Sequence, residues 1–305
     1  MTDNATMVKT KTLVYFRIDC EGFSVFKQLI DKLCSINESG ETHCEFIFTS
    51  IPDTIRKKKK NERKLEYYFM SDRGGLEIYL QSYNQAVVMC SKIDKFNEYK
   101  YRSNKDELRI GINLSSLKKF LSQQDSSSII EFKVYAIDDT DDYKMEFKFT
   151  VEADNKKSRS EVTTYEPKAV AVTKLGPEVK QNIFGKATID IPKICEFAPS
   201  KLKTICSQLI SMGADSMKLY ASNESITFIS ENDCKIKKKY DDCEYDGEEI
   251  CAEYDISNIE KAARVDRMAE VIEIFFKNKG LMVLFNKIKD YGKMCTIFTP
   301  KMDAE

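Results

Sequence analysis

The chain of 305 residues has no tryptophan, only one histidine, six prolines and eleven glycines. A single histidine excludes any site built on paired or clustered imidazoles. Ten cysteines are present, yet no two stand as C-x-x-C, so ligand pairs at zinc spacing are missing. Scattered in this way, they read as free thiols in a reducing compartment, mostly buried as small apolar groups. No stretch reaches the roughly 18 apolar residues of a membrane span. The opening MTDNATMVKTKTLVYF lacks the apolar core of a signal peptide. Charge of one sign is also lacking: 48 basic residues face 49 acidic ones, a net charge of −1. That excludes a protein that coats nucleic acid with its whole surface, though not one with a local basic face balanced by acid elsewhere.

Catalytic signatures are missing as well. There is no G-x-x-x-x-G-K-[ST], no G-x-G-x-x-G and no G-x-S-x-G. His43 stands beside Cys44, but neighbours along a strand point to opposite faces, so a Cys–His nucleophile pair does not form. The acidic run DDTDD at 138–142 lies between two alternating segments and reads as a hairpin loop, since turns favour Asp. No residue nominates a reaction. The expectation is a protein that is not an enzyme, with no cofactor and no metal.

What is there is a β-rich pattern with real cores: 42% hydrophobic and 32% charged residues. The length suggests about two domains. Alternation predicts strands at 13–18, 44–50, 65–70, 75–81, 86–93, 108–112, 129–136 and 144–151. In the second half it predicts them at 186–191, 216–222, 225–230, 234–240, 248–254, 271–276, 280–285 and 293–299. Four segments read as helices: 22–36, 114–123, 200–212 and 256–266. Two of these expose an internal repeat. INLSSLKKFL from Ile112 matches YDISNIEKAA from Tyr254, with Asn113 on Asp255, Leu114 on Ile256, Leu117 on Ile259 and Lys119 on Lys261. The other two helices also pair, through the stripes Phe23–Phe26–Ile30–Leu33 and Leu202–Ile205–Leu209–Met212. The inferred architecture is α+β, mostly β: two copies of one module of antiparallel sheets with two short helices. Between them, 153–186 is polar and fits an edge strand at 162–168 followed by a connector. A basic run, IPDTIRKKKKNERK at 51–64, reads as a solvated loop, with a nuclear localisation patch or an extra DNA contact as the functional alternatives.

Each helix turns lysine, arginine or small hydroxyl residues away from its apolar stripe. Lys32 is flanked by Lys27, Lys119 by Lys118, and Lys261 by Arg264, while Lys203 lies with Thr204, Ser207 and Ser211. Four such faces on the helices of a repeated module suggest one shared basic surface. Lysine suits a loose phosphate track, because it acts as a point charge without bidentate geometry.

At these residues the sequence resembles the DNA sliding clamps of the proliferating cell nuclear antigen (PCNA) type. The resemblance runs from about residue 13 to the C-terminus. It is carried by FKQLIDKL, GLEIYLQSYNQAVV, KFNEYKYRSNKDELRIGINLSSLKKFLS, LGPE and KIKDYGKMCTIFTPKMDAE. It implies a clamp domain at 12–168 with a basic insertion at about 37–64, a connector at 169–186 and a second clamp domain at 187–305. Two such domains per chain would assemble head to tail into a homotrimeric ring around duplex DNA, without base readout. The residues implied to face DNA are Lys27, Lys32, Lys118, Lys119, Lys203, Lys261 and Arg264. Thr204 and Ser207 stand where the family tends to carry arginine. A pocket for short peptide motifs of the PIP type is implied at Tyr83, Val172, Leu175, Pro177, Leu281, Ile297, Phe298, Thr299 and Pro300. For Leu281, Ile297 and Phe298, plain core strand positions are an equal reading.

Ring closure would pair two edges of opposite charge. One carries Val162, Thr164 and Glu166, the other Lys235, Lys237 and Lys239. Pro167 lacks an amide donor, so a ladder there must end or run past it. The implied partners are DNA polymerase, a clamp loader, PIP-type peptides and further copies of the chain, with no membrane. The implied setting is the site of DNA replication, in the nucleus or in a cytoplasmic viral replication factory. The alternatives are a subunit of a heteromeric or checkpoint-type clamp, a monomeric polymerase accessory factor, and a protein scaffold that never encircles DNA.

Overall fold

The computed structural model describes residues 11–37, 41–50, 75–82, 86–137, 143–151, 161–170, 191–231, 235–241 and 243–301. The expected strand 65–70, the loop 138–142, the basic run 51–64 and most of the connector lie outside these residues.

The first half runs β1 (Lys11–Ile18), α1 (Cys20–Cys34), β2 (His43–Thr49), β3 (Gly75–Gln81), β4 (Val87–Ile93), β5 (Glu98–Tyr101), β6 (Glu107–Asn113), α2 (Leu114–Ser122), β7 (Ile129–Ala136), β8 (Tyr143–Val151) and β9 (Glu161–Tyr165). The second runs β10 (Lys193–Phe197), α3 (Pro199–Ser211), β11 (Ser216–Ser222), β12 (Ser225–Glu231), β13 (Lys235–Tyr240), β14 (Ile250–Asp255), α4 (Ile256–Ala263), β15 (Ile272–Phe276), β16 (Met282–Ile288) and β17 (Gly292–Phe298). The four expected helices are present; two start where expected, at Leu114 and Ile256, and the other ends differ by one to three residues. Two strands, β5 and β10, were not expected.

Local chemistry explains where the helices begin. Asp19, Asn113 and Asp255 are extended residues whose side chains accept hydrogen bonds from the amides of Gly22, Ser116 and Asn258, at 2.9, 2.9 and 3.0 Å. Each satisfies an amide that has no partner within its helix. Ala198 offers no such oxygen before α3, and Pro199 starts that helix instead, with its ring already holding a helical φ.

All sheet pairings are antiparallel. They form a five-stranded sheet, β5-β1-β7-β8-β9, a four-stranded sheet, β13-β12-β11-β14, and an eight-stranded sheet, β10-β15-β16-β17-β4-β3-β2-β6. The last is shared between the halves, which meet where β17 pairs with β4 from Gly292 opposite Ile93 to Phe298 opposite Val87. One continuous core runs through both halves, from Phe16, Phe26 and Phe132 to Phe228, Tyr254 and Phe276.

The two halves are the same module in their pairing. β1-β7-β8-β9 corresponds to β10-β15-β16-β17, and β4-β3-β2-β6 to β13-β12-β11-β14. The ladders carry the equivalence residue by residue. Starting from the caps Asn113 and Asp255, Leu76 falls on Ile226 and Ile93 on Tyr240. Starting from Ile18 and Phe197, Phe149 falls on Asn286 and Thr163 on Met294. The strand equivalent to β17 is therefore β9, and the strand equivalent to β4 is β13. Both are outermost in their sheets among the described residues.

The seam is tightest at Gly292, where an added Cβ would collide with the carbonyl oxygen of Lys92 on β4. That obstacle is backbone and cannot swing away. Gly292→Val is expected to destabilise the chain by about 1–3 kcal/mol, as overpacking against fixed atoms does. Urea unfolding read by tyrosine fluorescence checks this, with an unchanged midpoint counting against a tight seam.

Candidate nucleic-acid interface

The four helices form one layer. α1 packs on α2 and α3 on α4. Ser207 of α3 lies 3.3 Å from Glu260 of α4. Lys32 of α1 sits beside Arg264, Glu260 and Asp266 and so joins the halves. Lys119, Lys203, Lys261 and Arg264 all belong to this layer, and Lys119 and Arg264 are exposed.

The layer carries less free positive charge than its sequence suggests. Lys118 pairs with Asp31 at 2.6 Å. Arg264, which caps the end of α4, grips buried Glu260 at 2.8 Å, an i,i+4 pair. Lys27 leans over the Phe23 ring and donates to the carbonyl of Gln124 at 3.3 Å. The Glu260–Arg264 spacing was visible in the sequence; the Asp31–Lys118 pair, between two helices, was not.

Lys32 departs from the expectation altogether. It was placed on the outward face of α1, and it is 5% exposed. Its amine is buried without a hydrogen-bond partner among the described residues. Burial, and after it the neighbouring Arg264 guanidinium, push Lys32 down to about 7, against the opposing pull of Glu260, Asp266 and Asp31. It is a packing residue of the seam between the halves and not a phosphate contact.

The face of the eight-stranded sheet that carries Ile47, Tyr79, Val88, Phe275, Val283, Phe285 and Ile297 holds a second apolar cluster, separate from the main core. Leu281 packs against it. Two ion pairs border this face, Lys92 with Glu77 at 3.0 Å and Arg109 with Glu45 at 3.2 Å. Leu281, half-buried, and Ile297, fully buried, thus share the cluster expected to line a peptide pocket. Phe298 does not: it lies opposite Val87 and turns into the main core. That corrects its assignment, and the cause is strand alternation, which sends Ile297 and Phe298 to opposite faces. Thr299 is exposed and Pro300 half-buried at the strand's end. Tyr83, Val172, Leu175 and Pro177 lie outside the described residues.

The two expected edges are where the sequence put them. On β9 and just after it, Val162 is 53% exposed, and Thr164 and Glu166 are exposed. On β13, Lys235, Lys237 and Lys239 are exposed. Within the chain, Glu166 pairs with Lys144 at 3.1 Å, Lys235 with Glu231 at 2.5 Å and Lys239 with Asp241 at 2.7 Å. β9 ends at Tyr165, two residues before Pro167, so within the chain the proline lies outside the β8–β9 ladder. His43 pairs with Glu41 at 3.3 Å while Cys44 is fully buried, and burial pushes that thiol up. Nucleophile and base therefore do not converge.

No family model matches the chain, and no curated protein matches it in sequence. Solved structures do match in shape. A crystal structure of the proliferating cellular nuclear antigen from Entamoeba histolytica aligns over 96% of this chain and 100% of its own, at TM-score 0.66 and 12% identity. A PCNA2–PCNA3 complex from Sulfolobus tokodaii aligns over 94% of this chain and 99% of its own, at TM-score 0.65 and 12% identity. This chain has the sliding-clamp fold. The clamp fold accounts for the paired modules, the single helical layer and the shared sheet that joins them.

Lys32 gives the layer a test that separates packing from contact. Its ordinary value is 10.5 and its folded value about 7. Between those limits the unfolded chain holds the proton and the folded chain sheds it, so this group makes stability rise with pH across that window. Below about 7 both states are protonated and the burial penalty is carried in full. Lys32→Met is therefore expected to raise the urea midpoint below about pH 7, by an amount that shrinks as pH climbs towards 10.5. A variant less stable than the parent at low pH would contradict this placement.

Proposed function

We propose that the chain is a DNA polymerase processivity factor: a sliding clamp that closes into a homotrimeric ring around duplex DNA and recruits replication and repair enzymes. The observation that carries this reading is the correspondence of the two open edges, β9 and β13, to the joined pair β17 and β4. A chain that buries one copy of this junction internally and leaves its two halves outermost in two further sheets, among the described residues, is built to repeat the junction with its neighbour. An open edge is an aggregation hazard, and closure into a ring removes it.

The internal seam also supplies the register. Carried across the module equivalence, the pairs Lys293–Lys92, Cys295–Cys90 and Ile297–Val88 become Val162–Lys239, Thr164–Lys237 and Glu166–Lys235 between copies. Exposed positions then meet exposed positions on one face. Glu166 would exchange Lys144 for Lys235 of the next copy, and each such exposed pair contributes only about 0.2–1 kcal/mol. Charge therefore selects the partner edge, and the backbone ladder holds it.

The helical layer would face the DNA, with Lys119, Lys203 and Lys261 as its phosphate track. Contacts of this kind position a duplex without reading its sequence, and the clamp acts by topology with no active site. The apolar face bearing Leu281 and Ile297, beside Thr299 and Pro300, would take PIP-type peptides of a polymerase and other enzymes, with a clamp loader opening the ring. Its setting would be the site of replication, nuclear or in a viral factory. The Sulfolobus relative in shape is a complex of two different clamp chains, which keeps a heteromeric clamp as the second reading.

Light scattering after size exclusion separates the two. The homotrimer predicts a species near three times 35.2 kDa. Glu166→Lys is expected to shift it towards monomer, and adding Lys235→Glu to restore it. A persistent monomer across concentrations would overturn the homotrimer. In a second test, Lys119→Glu with Lys203→Glu and Lys261→Glu should leave the mass unchanged and abolish DNA-dependent processivity. Retained processivity would favour the scaffold reading.

A further inference from the structure

A cavity of about 520 Å³ opens where the halves meet, between the start of α1, β10, the loop 264–271 and the β16–β17 turn. It lies on strands β15 and β16 at the end away from Leu281 and Thr299, and it uses neither β9 nor β13. Met268, Val271 and Phe285 make its apolar part, and Val271 is 40% exposed. Glu21, Glu196, Glu270, Glu273 and Asp290 also line it, against only Lys287 and Lys289.

Two features of this cavity are unfavourable in the free protein. Glu196 and Glu273 lie directly opposite each other on β10 and β15. Like charges in that arrangement destabilise a sheet. Lys193 ion-pairs with Glu196 and Glu244 and, like Lys287, acts on Glu273 only through its field, without a direct pair. One carboxylate oxygen of Glu273, Oε2, is buried without a hydrogen-bond partner among the described residues. A buried acceptor left open is costly. Burial above all pushes the Glu273 carboxyl up. A cation seated in the cavity would relieve the repulsion and satisfy the open oxygen, while Val271, the exposed apolar residue of the lining, would accept an apolar neighbour of that cation.

We propose that this cavity is a docking site for a cationic, amphipathic peptide segment of a partner protein, one that presents arginine or lysine beside an aliphatic side chain. The site lies on the same sheet face as Ile297, sharing Phe285 with that cluster, at the other end of β15 and β16, and does not depend on ring closure. Glu273 is the central acceptor and Val271 the apolar contact. Binding requires the Glu273 carboxylate, so affinity rises with pH as that group ionises.

The test uses the full chain and fluorescein-labelled peptides read by anisotropy. One probe contains Arg-Leu-Arg-Leu-Arg, the second Arg-Gly-Arg-Gly-Arg and the third Glu-Leu-Glu-Leu-Glu. Only the first is expected to bind. Glu273→Gln should weaken it on the order of tenfold, the loss expected for one charged hydrogen bond. The same change should raise the melting temperature of the free protein, because it removes the repulsion with Glu196. Val271→Ser, on an exposed loop, should weaken binding while leaving every charge in place. Equal binding of the glycine-spaced peptide would overturn the site in favour of a diffuse field. Unchanged binding by Glu273→Gln would overturn it outright, and displacement of the peptide by equimolar spermine would assign the cavity to polyamines instead.

Discussion

The architecture depends on one backbone ladder, the pairing of β17 with β4. Without it the chain is two modules, each with an open sheet. With it, a four-stranded edge from each module becomes one eight-stranded sheet. The ladder runs without a register shift from Gly292 to Phe298, and its side chains are buried on both faces apart from half-buried Lys293. Close approach at Gly292 leaves it no freedom to slide. Everything else is positioned relative to this line: the helices on one side, the second apolar cluster on the other, and β9 and β13 outermost in the other two sheets among the described residues.

The helical layer follows from the same constraint. Joining the modules through a sheet brings α1 of one half beside α4 of the other, and this contact buries Lys32. The resulting surface mixes lysines with the acids Asp31, Glu260 and Asp266, so its field is modest. A modest field agrees with a net charge of −1 and suits the loose, sequence-independent passage of a duplex that the proposed function requires. Tight neutralisation of many phosphates would hold a duplex in place.

Much of this was legible in the sequence, for reasons that can be named. The starts of α2 and α4 were readable because Asn113 and Asp255 cap by local chemistry, and the repeat because cap, apolar stripe and lysine recur in the same order after them; α1 was placed two residues late because the cap at Asp19 went unread. β10 was missed because a register shift between Lys193 and Cys195 buries Ile194 and Cys195 together and breaks the alternation. β5 was missed because EYKY is a short edge strand whose residues are none of them fully buried. Lys32 was misplaced because a helical wheel describes one helix at a time, and the residues that cover Lys32 come from the other half of the chain. Phe298 was misplaced because an apolar pair at a strand end does not say which member faces the core. At 12% identity to the clamps it matches in shape, the chain let its two edges be inferred, but not the seam of β17 with β4, which joins strands far apart in the sequence, nor the partner contacts.

The central claim is that the junction inside the chain is repeated between copies in the same register. Disulfide trapping tests it most directly. A chain carrying Thr164→Cys and Lys237→Cys, mildly oxidised at the concentration where it assembles, is predicted to yield chains covalently linked into closed trimers. The offset pair Thr164→Cys with Lys235→Cys should link poorly, because the register places these residues two positions apart. Efficient linking of the offset pair, or no linking of the matched one in a chain that still assembles, would contradict the account.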